Sequence, residues 1–302
     1  MLRPQTIQIY LPDGNPRGVR VAEITTRIVR VIEVPRSQLA DFLKMPESQQ
    51  VGVYLLVGDT SDAGLPRAYI GQSGNVGNRL EEQNRDKDFW NRALVTISLT
   101  NSMTQTHALF LEWHAIARAK QIGRYSLENG NAGSEPYTPA PLRADCHEIH
   151  ETAAILLATL GQPIFEPLTN MALSGSAVED SSTELFYCKG PDANAVGEYT
   201  SEGFVVHKDS TARIEIVTSI RGTSYERFRE KLVADGVLAR SGDQYLFTRD
   251  HLFSSPSMAA IAVLGRSANG WIEWKTKQGQ TLEDRKSTRL NSSHVSESRM
   301  PS

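Results

Sequence analysis

Residues 168–200 run LTNMALSGSAVEDSSTELFYCKGPDANAVGEYT, a stretch dominated by Ser, Gly, Asp and Asn with a single short run, TELFYCK, that suits a strand. Such a composition buries too little apolar surface to offset the entropy of ordering it. It therefore divides the 302 residues into two bodies, each long enough for a modest core of its own. The end of the chain needs separate treatment. DRKSTRLNSSHVSESRMPS, residues 284–302, is polar and without periodicity, and the sequencing-adapter codons GAT CGG AAG AGC ACA CGT CTG translate to its first seven residues. Residues 285–302 are set aside on that ground as a library artefact. The expected organisation is a β-rich segment at 1–47, an α/β domain at 48–170, a linker at 171–200 and a small α+β domain at 201–284.

The set-aside tail carries Arg285, Lys286, Arg289 and Arg299 against Glu297, so the formal net charge of −3 becomes −6 over residues 1–284. An acidic chain offers no bulk attraction to nucleic acid, and any such partner must be held by local sites. No apolar run approaches the roughly 18 residues of a membrane span. The start, MLRPQTIQIYLPDG, lacks the basic, apolar and small-residue layout of a secretory leader. Cys146 and Cys188 stand too far apart for a disulfide framework or a zinc pattern. The expected setting is the cytoplasm, with no membrane partner.

In the first body, TIQIYLP and VRVAEITTRIVRVIEV suit strands, and SQLADFLKM suits a short helix with Ser37 as its N-cap. VGVYLLVG, at 51–58, is a continuous apolar run of the kind that forms a buried strand. AYIGQ suits a second strand antiparallel to it, and ALVTISLT a third. NVGNRLEEQNRD, TQTHALFLEWHAIARAKQ and DCHEIHETAAILLATLG suit helices, the last ended by Gly161 and Pro163. In the second body, strands GFVVHKDSTARI, QYLFT and GWIEWK alternate with helices SYERFREKLVADG and SPSMAAIAVLGR.

The long helix near 104–121 holds an anomaly. Its apolar stripe is Ala108, Leu111, Ala115, Ile116 and Ala119, and Glu112 falls inside it, four residues from both Ala108 and Ile116. A carboxylate facing a core is costly unless it is paired or bound to a metal. The plainer reading puts Glu112 at the edge of the stripe, reaching solvent or an arginine. Tyr54 and Tyr69 lie on neighbouring strands, each followed by a glycine-containing turn, and Arg79 lies about a turn into the next helix. Taken singly, these are ordinary core tyrosines and a surface arginine.

Taken together they form a pattern. GVY at 52–54 and YIG at 69–71 resemble the two halves of the GIY-YIG nuclease signature, with Val in place of the first Ile. QSGNVGNRL supplies the helix arginine Arg79, FLEWHAI the helix glutamate Glu112, and SLENGN the asparagine Asn129, in the family's order across residues 51–131. The resemblance implies an α/β (α+β) fold with a small three-stranded antiparallel sheet flanked by helices. It implies a metal-dependent endonuclease hydrolysing phosphodiester bonds in DNA with one divalent ion, Mg²⁺ or Mn²⁺, held by Glu112. Arg79 would pair with the phosphate oxygens, and Tyr54 or Tyr69 would position or deprotonate the attacking water. Gly71 would let the substrate backbone approach, and Asn129, or Asn131 beside it, would shape the site or contact phosphate. The loop after the arginine helix, EEQNRDKDFW, departs from members that carry a histidine there. Residues 247–275 resemble a small domain of unknown function that accompanies such nucleases in bacteria. The alternative is a catalytically silent nucleic-acid-binding or interaction protein that keeps the fold.

Other signals have plainer explanations. Phe89 and Trp90 suit core packing, and His107 and His114 suit a solvated face of the long helix. His147 and His150 are three apart rather than the four of an H-E-x-x-H zinc site, and suit a helix surface. Arg17, Arg20, Arg27, Arg30 and Arg36 suit either DNA phosphates or a solvated sheet face. The glycines of AYIGQSGNVGNRL form no nucleotide cradle, having neither G-x-G-x-x-G spacing nor a following Lys-Ser/Thr. Gly71 ends a strand, and Gly74 and Gly77 suit a turn and close packing.

Overall fold

A computed structural model of the chain describes residues 4–61, 65–130, 133–168 and 184–285. Asn131, residues 171–183 of the expected linker and residues 286–302 of the set-aside tail lie outside the described residues. The chain forms two compact units, Met1–Glu166 and Pro167–Ser302.

The first unit contains β1 (Ile7–Tyr10), β2 (Arg20–Ile24), β3 (Val29–Pro35), α1 (Leu39–Leu43), β4 (Gly52–Thr60), β5 (Pro66–Ser73), α2 (Val76–Asp86), β6 (Trp90–Ser98), α3 (Gln105–Ile122), β7 (Ser126–Leu127) and α4 (Ala140–Thr159). The three strands expected in the central domain, β4, β5 and β6, do pair antiparallel, but in a larger sheet of order β1-β2-β3-β6-β4-β5-β7. Residues 1–47 are therefore no separate segment. All of β3 but Arg30 is buried, and such a strand needs a partner on each edge. It finds β2 on one side and β6 on the other, from Val29 opposite Ser98 to Pro35 opposite Arg92.

The sheet is covered on both faces. Tyr54, Leu56, Ile32, Val34 and Trp90 pack with Phe42 of α1 and Leu80 of α2. On the other face, Leu55, Ile70 and Leu94 pack with Ala115 and Ile116 of α3 and Leu156 and Leu157 of α4. Ser37 caps no helix: it sits inside a 3-10 turn at Arg36–Gln38, and α1 begins after Gln38 without a side-chain cap.

Of the N-terminal arginines, Arg20, Arg30 and Arg36 are half-buried and tied to partners, while Arg17 and Arg27 are exposed. Arg20 and Arg92 clamp the buried Glu33, and Arg30 bridges Glu23 and Glu47 at 3.0 and 2.8 Å. Arg36 donates to the Asn84 and Trp90 carbonyls and stacks on the Trp90 ring, and Arg27 pairs with Glu148. These charges tie the N-terminal strands to the rest of the unit.

The second unit contains β8 (Leu185–Gly190), β9 (Ala193–Thr200), β10 (Gly203–Val206), β11 (Thr211–Arg213), α5 (Ser224–Ala234), β12 (Leu238–Ser241), β13 (Gln244–Phe247), β14 (His251–Phe253), α6 (Pro256–Leu264) and α7 (Gly270–Glu273). Within the expected linker, β8 falls on TELFYCK, the run that suited a strand, whereas β9 lies where no strand was expected. The sheet runs β12-β13-β11-β9-β10-β14, with β8 also paired to β9. Apolar nearly all round, α6 is the helix of a core that also holds Phe204, Phe247 and Trp274. GWIEWK, expected as a strand, instead opens the short helix α7. Asn269 caps it, and a Cβ at Gly270 would lie 2.1 Å from the Pro256 backbone, so the turn packs tightly on α6. Among the described residues no helix is long and apolar enough to cross a membrane.

Candidate active site

On β4 and β5, Tyr54 stands opposite Gly71, and Leu56 opposite Tyr69. Opposed residues and alternate residues share a face of a sheet, so both tyrosines and Gly71 point the same way. The two rings are 6.3 Å apart, centre to centre, and tilted by 35°. The Tyr54 ring lies directly over Gly71, where a Cβ would come within 2.4 Å of its Cζ and Oη. Tyr54 is 1% exposed, whereas Tyr69 is half-buried. Burial, followed by the neighbouring Tyr69, pushes the Tyr54 phenol far above its ordinary value, so it is neutral at physiological pH.

Arg79 comes from α2, whose N-terminus is fixed by the Asn75 side chain accepting from the Asn78 amide at 3.0 Å. The start of α2 packs closely on the 3-10 turn at Pro46–Gln49, where a Cβ at Gly77 would stand 3.0 Å from Ser48. Nε of Arg79 donates to the Tyr54 hydroxyl at 3.3 Å, and Nη1 pairs with Glu82 at 2.5 Å. Hydrogen bonds to Glu82 and then to Tyr54 raise the guanidinium further into its charged range.

Glu112 arrives from α3, on the opposite side of the sheet. The helix is fixed at its start by Thr104, whose backbone amide donates to His107 Nδ1 at 3.1 Å, and at its end by Gly123 at φ 71°. His107 is thus a capping residue. Leu111, Ala115, Ile116 and Ala119 are buried as the stripe predicts, while Glu112 is half-buried at the stripe's edge. Burial raises its carboxyl above the ordinary value, and the Gln72 backbone amide and the Arg79 charge partly offset that rise.

These contacts follow the edge of β5 beyond its short pairing with β7, which spans Arg67 and Ala68. At Ile70 the Asn129 side chain takes over, Oδ1 accepting from the amide at 2.9 Å and Nδ2 donating to the carbonyl at 2.7 Å. At Gln72 the amide is taken by Glu112. Asn129 therefore imitates a paired strand. It holds β5 straight beneath Tyr69 and Gly71, and only one N–H of its amide is left for another partner.

Phe89 and Trp90 are buried in the core as expected, at 7% and 2% exposure. Two features went unread in the sequence. The Lys87 ammonium sits 4.3 Å above the Tyr69 ring, placed by the loop that lacks the family's histidine. On the far side of α3, His114 meets His147 and His150 of α4 with ring centres 4.9 and 4.6 Å apart, and His150 also packs on Phe165. His114 and His150 are therefore half-buried rather than solvated, and burial pushes both below the ordinary histidine value, His150 to about 3. The signal was the i, i+3 pair on α4 facing a histidine on α3. Among the described residues, no group of three or more His, Cys, Asp or Glu is arranged to hold a metal ion.

Two mixed α+β units, one with a tyrosine–arginine–glutamate cluster at a sheet edge, define the protein structurally. A family model described as "Domain of unknown function (DUF4357)" matches residues 186–286, within the second unit and including the stretch at 247–275. No curated protein and no solved structure matches the chain.

Proposed function

We propose that the first unit is a GIY-YIG-type endonuclease that hydrolyses phosphodiester bonds in DNA with a divalent metal ion. The observation that carries this reading is the convergence of Tyr54, Tyr69, Arg79 and Glu112, from β4, β5, α2 and α3, on one end of the β4–β5 pair. A buried neutral phenol hydrogen-bonded to an arginine, with a half-buried carboxylate in electrostatic reach of both, suits a reaction in which negative charge builds on a phosphate.

On this reading Arg79 binds the scissile phosphate. Its Nε and Nη1 are fixed by Tyr54 and Glu82, and Nη2, without a partner among the described residues, is offered to a non-bridging oxygen. Tyr54 orients that guanidinium, since its buried phenol holds its proton too tightly to serve as a base at neutral pH. Tyr69 is the more open tyrosine and carries a lysine over its ring, which places it to orient the attacking water. Asn129 keeps the β5 edge in register beneath both.

The donor set fits Mg²⁺ or Mn²⁺. Such ions bind through one or two carboxylates and fill their remaining positions with water and substrate phosphate. Glu112 is a single half-buried carboxylate whose charge its neighbours only partly compensate. The ion, when bound, would polarise the phosphate and stabilise the leaving oxygen. The test is supercoiled plasmid incubated with the protein in Mg²⁺, Mn²⁺ or EDTA. Nicking or linearisation in metal that stops in EDTA is expected. DNA bound but uncut in both metals would favour the silent nucleic-acid binder.

A further inference from the structure

The second unit carries a cationic groove. On β8, Phe186 and Cys188 are buried in the core, so Tyr187 and Lys189 stand together on the other face. The chain returns beside β8 at Lys275, which pairs antiparallel with Tyr187 through two backbone hydrogen bonds of 2.7 and 3.0 Å. Lys275 thus shares the face of Tyr187, and the Lys277 ammonium lies 6.0 Å from the Tyr187 ring centre. These side chains line a groove of about 440 Å³. Lys189, Lys275 and Lys277 are exposed and have no ion-pair partner among the described residues. The groove's carboxylate, Glu273, is already paired with Arg266 at 2.7 Å. Without the set-aside tail, residues 184–284 hold fourteen acidic and twelve basic side chains, so the groove concentrates positive charge on an otherwise slightly acidic unit.

We propose that this groove binds the phosphodiester backbone of DNA, with the three lysines on phosphates and Tyr187 offering an aromatic face. Alternate residues on a strand lie about 6.6 Å apart, so the cations form a row rather than a point. A row suits a repeating polyanion better than a single phosphate, and an aromatic floor between cations is the arrangement that stacks a base or sugar while its phosphates are neutralised. The choice of DNA among polyanions rests on the nuclease reading of the first unit, whereas the groove and its charge do not. Because the whole chain is acidic, binding must come from local sites of this kind.

The experiment uses the full chain in EDTA, which separates binding from cleavage, and reads fluorescence anisotropy of a labelled DNA oligonucleotide across a salt series. The triple variant Lys189→Ala/Lys275→Ala/Lys277→Ala is expected to bind at least about tenfold more weakly, on all sequences alike. Its salt dependence should flatten by roughly two to three logarithmic units of slope. Lys208→Ala/Lys231→Ala/Arg240→Ala, which removes the same charge elsewhere on the unit, is expected to bind within about twofold of wild type. No binding by wild type, unchanged binding by the groove variant, or equal losses in both triples would overturn the proposal, and tighter binding to RNA of the same sequence would overturn its choice of DNA. A wild type that binds through the groove yet never cuts contradicts the nuclease reading alone.

Discussion

The phenol of Tyr54 lies so close over Gly71 that a methyl group on that glycine would stand 2.4 Å from the hydroxyl oxygen. Tyr54 is 1% exposed and boxed in by the core, so it has nowhere to move. Gly71→Ala is therefore expected to cost about 1–3 kcal/mol by overpacking. It should also lower cleavage by more than the lost stability explains, because the displaced phenol no longer holds Arg79. Thermal denaturation and plasmid cleavage on the same preparation check both. An unchanged melting temperature would show that the ring is not held there.

Asn129 offers a test of how the edge of β5 is maintained. Its side chain supplies both hydrogen bonds that Ile70 would otherwise take from a neighbouring strand. Asn129→Ala removes two bonds and is expected to cost about 1–3 kcal/mol in urea denaturation, with faster hydrogen exchange at the Ile70 amide. A residue that only touched substrate phosphate would lose cleavage and keep its stability.

Glu112 couples stability to pH. Burial raises its carboxyl in the folded chain, so the folded state holds the proton more tightly than the unfolded state does. That contribution to stability is complete below the unfolded value near about 4.3 and is lost as pH rises through the raised folded value. At pH 7 the ionised carboxylate thus works against folding in the absence of metal. Glu112→Gln is expected to raise the melting temperature of the metal-free protein at pH 7 and to leave it unchanged near pH 4. Mg²⁺ or Mn²⁺ should stabilise wild type but not the variant. Parallel stability curves for the two proteins would contradict the account.

His150 acts with the opposite sign. Burial, then His114, Arg118 and His147, hold it at about 3, so it is neutral when folded and charged when unfolded in mild acid. Its contribution is present above the unfolded value near about 6.5 and is lost as pH falls toward 3. His150→Phe should flatten the stability curve across that window, as read by denaturant unfolding at a series of pH values. An unaltered curve would place the ring in solvent.

The parts of this architecture that depend on local pattern were legible in the sequence. The apolar run at Val51–Gly58 gave a buried strand, the glycine-bearing stretch after Tyr69 gave a strand and a helix, and the position of Glu112 in the α3 stripe marked it as unusual. What depends on contacts between distant segments was not legible. The union of β3 with β6 joins residues some sixty apart, and it turns a separate N-terminal segment into part of one sheet. The pairing of β2 with β3 explains two of the arginines, since it sets Arg20 opposite Glu33 and Arg30 opposite Glu23. The histidine trio needs α3 packed on α4, and the role of Asn129 needs the edge of β5 left open. GWIEWK misled because Trp and Ile are residues that strands favour, while a cap at Asn269 and the fit of Gly270 on Pro256 decide for a helix.

The central claim is that the tyrosine–arginine–glutamate cluster cuts DNA. The most direct measurement compares wild type, Arg79→Ala and Glu112→Gln on supercoiled plasmid in Mg²⁺, with folding of each verified by circular dichroism. The account predicts nicked or linear product from wild type alone, with both variants reduced at least about a hundredfold, the scale of losing one transition-state contact. Cleavage by Glu112→Gln at the wild-type rate would contradict it.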